Sequence, residues 1–153
     1  MTKTTLAVVV IALAAGLCSC ALTGASRTGR LDLSSPDATV ISFTKAAAGG
    51  DVDAAQACFL PDGIDYKDVR RVLTAEPSSP EYPGRLMFEA IDPDALMPII
   101  SMEETEEGLA IVWRVTFKRD VQAEGQTVIE TGDTFDFDGT LRKSGDKWLF
   151  YSL

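Results

Sequence analysis

Apolar and polar positions follow three different rhythms along the chain, and each predicts a different kind of structure. Leu6 to Leu17 is apolar throughout. Residues 36 to 91 carry apolar side chains at helical spacing, broken by short polar starts and stops. From Met97 onward the character changes to sheet, with apolar and polar residues alternating as half-buried strands require. Between the first two, Ala21 to Ser35 is rich in Gly, Ser, Thr and Arg and has no sustained period, which predicts a flexible tether.

The helical part is punctuated clearly. Ser35 caps, Pro36 suits a first turn and Asp37 follows, so a helix starts there. Val40, Ile41, Phe43, Thr44 and Ala47 form its apolar face, and Gly49-Gly50 stops it. Asp51 caps a second short helix with Val52, Ala55, Cys58 and Phe59 inward, and Pro61-Asp62-Gly63 turns the chain. Asp65 caps a third, with Ile64 and Val69 at the spacing of a hydrophobic staple. Val69, Val72 and Leu73 are its inner stripe, and Pro77 ends it. Glu76 to Gly84, with three prolines and two serines, reads as a surface loop. Leu86, Met87 and Ala90 then place Arg85 to Ile91 in a short helix.

The strands have well-defined faces. Leu109, Ile111, Trp113, Val115 and Phe117 point one way, and Ala110, Val112, Arg114, Thr116 and Lys118 the other. Phe135, Phe137 and Leu141 point inward from the next strand, and Lys147 to Leu153 follows a Ser144-Gly145 turn. Together they predict an antiparallel meander. A three-residue loop at Ala123-Glu124-Gly125, with Gly125 left-handed, pairs Gln122 with Gln126, Lys118 with Glu130, Trp113 with Phe135 and Ile111 with Phe137. The Ser144-Gly145 turn pairs Leu141 with Trp148, Gly139 with Phe150 and Asp138 with Tyr151.

The N-terminal segment has Lys3 in a short polar start and then the apolar run, the layout of a secretory signal peptide. The run is shorter than the roughly 20 residues a membrane span needs. Leu17-Cys18-Ser19-Cys20 resembles the bacterial lipobox, in which a Leu and two small residues precede an acylated Cys; Cys18 stands where Ala or Ser is usual. The resemblance implies cleavage after residue 19, a lipid such as palmitate on Cys20, and a place in the cell envelope. Ala21 after the cysteine implies the outer membrane, facing the periplasm, in an organism with two membranes. The expected organisation is a signal peptide over 1–19, the lipidated cysteine and tether over 20–35, and one domain over 36–153. Loss of Lys3 leaves all 23 acids and one base fewer than 14, so the formal charge moves from −9 to −10. So acidic a domain repels nucleic acid and anionic head groups, and its membrane attachment rests on the lipid. Cys58 is then the only thiol left, in an apolar helical stretch without a basic neighbour, and reads as a buried hydrophobe.

The front half with Val40, Phe43, Ala47, Gly50-Asp51 and Ala54 to Phe59, followed by a meander ending in Trp148, resembles the nuclear-transport-factor-2-like superfamily. The likeness covers residues 35–153 and is nearest to the small bacterial lipoproteins of that group. It implies an α+β fold in which N-terminal helices pack on a curved antiparallel C-terminal sheet, a cone that encloses a pocket in some members. Members that are enzymes use Asp–His or Tyr–Asp arrangements. The chain has no histidine, which removes the first. Tyr66 with Asp136 or Asp138 supplies the residue types of the second.

Candidate chemistry is sparse. No catalytic triad, glycine-rich phosphate loop or pair of metal-ligand cysteines is present. Asp136-Phe137-Asp138-Gly139 has part of the look of a calcium loop, but the alternating phenylalanines make it strand surface. Glu103, Glu104, Glu106 and Glu107 before Gly108 read as a solvated hairpin turn. No cofactor or metal is expected. Trp113, Phe117, Phe135, Phe137, Trp148 and Phe150, with Tyr66, either line a pocket or fill the core, and core is the expected role in so small a domain. Arg114, Thr116, Asp136, Asp138, Leu149 and Tyr151 share the opposite sheet face, whose mixed character suits a second copy or an envelope partner. The expected function is non-enzymatic, binding a small apolar ligand or docking a protein. The alternative is a carboxylate-dependent hydrolase or isomerase of the same fold.

Overall fold

The computed structural model describes residues 30–153; the apolar segment, Cys20 and the remaining residues up to 29 lie outside the described residues. Four helices precede six strands: α1 (Pro36–Ala48), α2 (Val52–Ala57), α3 (Tyr66–Leu73), α4 (Tyr82–Ala90), β1 (Ile99–Glu104), β2 (Leu109–Thr116), β3 (Val121–Ala123), β4 (Gln126–Ile129), β5 (Thr134–Ser144) and β6 (Lys147–Ser152). The domain is α+β.

Local side-chain chemistry starts the first two helices. The Ser35 hydroxyl accepts from the Ala38 N–H at 3.1 Å, and the Asp51 carboxylate from the Ala54 N–H at 3.0 Å. The third start departs from expectation. Asp65 stands at the N-cap of α3 without a capping hydrogen bond, and its carboxylate accepts instead from the Leu153 N–H at 2.7 Å. Ile64 is 64% exposed, so no staple closes over Val69. The Ile64 N–H donates to the Tyr151 carbonyl at 2.7 Å, and this tertiary bond holds the entry to α3 in the staple's place. α4 begins at Tyr82 rather than Arg85, since Pro83 in its first turn needs no partner for a missing N–H. The loop before it is correspondingly shorter.

Strands β1, β2, β5 and β6 form one antiparallel sheet in that order, and β3 and β4 a separate hairpin. The register differs from expectation by two residues at both hairpins. Ala123 itself pairs with Gln126, leaving Glu124-Gly125 as a two-residue loop with φ of 52° and 78°. Such a left-handed pair matches the twist of the strands it joins. Gln122 opposes Thr127, and an irregularity between Val121 and Gln122 adds the second step. Trp113 therefore opposes Phe137 rather than Phe135, and Ile111 opposes Gly139 rather than Phe137. Ser144 pairs with Lys147, so Leu141 opposes Phe150 and Lys143 opposes Trp148. Side chains alternate with period two, so a slip of two residues leaves each on its expected face.

The helices cover one face of the sheet. Phe43, fully buried in α1, meets Phe59, Phe88 and Phe150 edge-on, with ring centroids 5.4, 5.8 and 5.3 Å away. Trp113 continues the cluster to Phe137 and Phe150, both at 5.5 Å. Such pairs contribute about 0.5–1.5 kcal/mol each beyond the area they bury. The rest of the chain also lines β6: Trp148 N–H donates to Leu33, Phe150 N–H to Cys58, and Leu60 N–H to Phe150. That edge of the sheet is closed.

Candidate functional site

The aromatic residues proposed for a pocket separate into three environments. Trp113, Phe117, Phe137 and Phe150 are buried, and Trp113 meets both Phe137 and Phe150. Phe135 sits edge-on to Phe137 at 5.0 Å but is 45% exposed. Trp148 and Tyr66 are half-buried against the core cluster. The buried rings occupy the space between helices and sheet, where a ligand would have to lie.

On the outer face, β2 and β5 bring Arg114 directly opposite Asp136, and Thr116 opposite Thr134. Arg114 Nε and Nη2 donate to the two carboxylate oxygens of Asp136 at 2.6 and 2.8 Å. This bidentate pairing holds the Asp136 carboxyl below the usual carboxylate range. A carboxylate with both oxygens engaged and a lowered pKa is a poor proton acceptor. Asp136 suits recognition better than general-base chemistry. Tyr66 packs on the inner side, and among the described residues no hydrogen bond joins it to Asp136 or Asp138.

Asp138, Leu149 and Tyr151 share this outer side. Asp138 is exposed, while Leu149 and Tyr151 are half-buried. Sequence reasoning left out Arg142, whose guanidinium lies 3.4 Å from the centre of the Tyr151 ring and whose Nε donates to the Glu107 carbonyl. Its parity with Asp136 and Asp138 along β5 was the signal that places it here.

The four glutamates occupy the β1–β2 hairpin, and all are exposed. Thr105 and Gly108 exchange backbone hydrogen bonds at 2.7 and 3.3 Å and set the turn. Gly108 has φ 146°, and a Cβ there would lie 2.5 Å from the Leu141 carbonyl, so the turn rests directly on the β5 backbone. Beside it an open cleft is floored by Leu109, Leu141 and Trp148. Asp136 and Asp138 lie on a regular strand rather than a loop. Among the described residues, no group of three or more Cys, Asp or Glu side chains is placed to hold a metal ion.

Cys58 is fully buried, its Sγ 3.4 Å from the Ala54 carbonyl, and burial pushes the thiol up to about 12. It packs as an inert hydrophobe. Among the described residues no helix is long and apolar enough to cross a membrane. Comparison with family models, curated proteins and solved structures finds no match to the chain.

Proposed function

We propose that the chain is a lipoprotein of the cell envelope, anchored through Cys20, whose domain docks an envelope protein rather than turning over a substrate. The outer face of Arg114, Thr116, Asp136, Asp138, Leu149 and Tyr151 is its contact surface. In this reading the domain is a nuclear-transport-factor-2-like cone that has traded its pocket for core. The apolar run ending at Leu17-Cys18-Ser19-Cys20 supports the anchor. The observation that carries docking is the packing of Phe137 and Phe150 on the buried Trp113. Side chains that would line a ligand cavity are spent on stability, while half-buried Tyr151 and the Arg114–Asp136 charge pair stay on the other face of the sheet. Lipid on one end and an acidic body on the other suit a module held near the membrane and facing water.

A photo-crosslinking side chain at Thr116, in intact cells, tests this directly. One discrete adduct is expected, lost in Tyr151→Arg and in Cys20→Ser, with Cys20→Ser also releasing the protein from the membrane fraction. A Cys20→Ser chain still processed and membrane-bound overturns the anchor. An adduct indifferent to Tyr151→Arg overturns the face.

A further inference from the structure

The fold treats the two edges of its main sheet differently. The β6 edge is closed by Leu33, Cys58, Leu60 and Ile64. Among the described residues, no hydrogen bond reaches the outer edge of β1.

The ladder tells which groups that edge presents. Thr105 and Gly108 exchange N–H and C=O in both directions, so they are a bonded pair. Antiparallel pairs alternate between bonded and non-bonded. Glu103 with Ala110 is then bonded, Glu104 with Leu109 and Met102 with Ile111 are not. The N–H and C=O of Met102 and Glu104 therefore point away from β2, into the open. Their side chains are just as accessible, since five of the six β1 residues are exposed. Met102 is 56% exposed and Ile100 45%. Among the described residues, Glu103, Glu104, Glu106 and Glu107 have no salt-bridge partner.

We propose that the β1 edge is a strand-addition site for an extended, basic segment of a partner polypeptide. The outward N–H and C=O groups of Met102 and Glu104 supply main-chain pairing, and Ile100 and Met102 give apolar contacts. The glutamates choose the partner. A second copy brings the same glutamates and the same formal charge of −9, so self-pairing gathers like charge. A strand carrying Lys or Arg meets those carboxylates favourably, so one feature both repels copies and recruits a basic segment. This site lies beyond the outer face assigned above and does not depend on it.

The test uses the full chain in neutral detergent and two synthetic peptides, one alternating valine with lysine and one alternating valine with glutamate. The lysine peptide is expected to bind, more weakly as salt rises, and the glutamate peptide not to bind. Met102→Pro deletes an outward N–H without touching the β2 ladder. It should weaken binding roughly tenfold, the scale of one net hydrogen bond. Should Met102→Pro fail to fold, Glu103→Lys with Glu104→Lys, both on exposed positions, decides by abolishing the binding. Tyr151→Arg, on the other face, should leave the peptide affinity unchanged, which separates this site from the docking face. No binding of the lysine peptide, equal binding of both peptides, or an affinity indifferent to the β1 variants overturns the proposal. So does a Glu104→Cys chain that forms a disulfide dimer across β1, because the edge is then taken by a second copy.

Discussion

Arg114 and Asp136 stand directly opposite each other across β2 and β5 and meet through two parallel hydrogen bonds, of 2.6 and 2.8 Å. Both side chains are substantially exposed, at 47% and 38%. Exposed pairs contribute little to stability, because water screens them and ordering two side chains opposes them. The geometry nevertheless fixes two charges in known positions on the proposed docking face. Arg114→Gln and Asp136→Asn are each expected to leave the thermal unfolding midpoint close to wild type while reducing the crosslinked adduct. A large drop in the midpoint with the adduct unchanged would mean that the pair belongs to the fold and not to the face.

The core offers a sharper stability test. Phe43 sits among Phe59, Phe88 and Phe150 with no exposure, at the junction of α1, α4 and the sheet. Phe43→Ala should cost about 3–5 kcal/mol, since three rings lose a partner and the cavity cannot collapse fully. Urea unfolding measures it. A loss nearer that of a surface substitution would show that helices and sheet are not joined through this ring.

Thr44, one residue on, predicts the opposite sign. Its side chain is 2% exposed, yet the hydroxyl has no hydrogen-bond partner. A buried polar group without a partner costs roughly 1–3 kcal/mol, and valine has nearly the same shape. Thr44→Val should therefore raise stability by about 1 kcal/mol in the same urea experiment. An unchanged or lowered stability would show that the hydroxyl is satisfied in solution.

Most of this architecture could be read from the chain, and what could not has a physical cause. Ser35 and Asp51 start helices through bonds to residues three places on, and so are visible in sequence. Asp65 marks the start of α3 as expected, but its carboxylate is taken by Leu153, 88 positions away, a bond that sequence does not show. Strand faces follow from alternation alone, which is why Trp113, Phe137 and Leu141 point as expected. Register needs turn geometry, and whether Ala123 belongs to loop or strand changes every partner downstream. The pairing of Arg114 with Asp136, and of Arg142 with Tyr151, depends on that register. The open edge of β1 was invisible for another reason. It is defined by what the rest of the fold leaves uncovered.

The last expectation concerns pH. Glu89 accepts from Arg85 Nε at 2.8 Å within α4 and from Arg119 Nη2 at 3.1 Å, tying the helix to the segment between β2 and β3. The hydrogen bond from Arg85, ahead of an opposing burial effect, holds the carboxyl below the ordinary glutamate value. A carboxylate whose folded pKa is lowered adds stability above its unfolded pKa, about 4.3 for glutamate, and that increment disappears as pH falls through the folded value. Glu89→Gln is neutral at every pH and cannot titrate. The variant should be less stable than wild type at neutral pH, and the gap should narrow steadily as the pH drops below about 4.3. Urea midpoints for both chains from neutral to strongly acidic pH trace this. Two curves that stay parallel through the acid range would show that Glu89 carries no linked proton, and that the bridge from α4 to Arg119 is not held in solution.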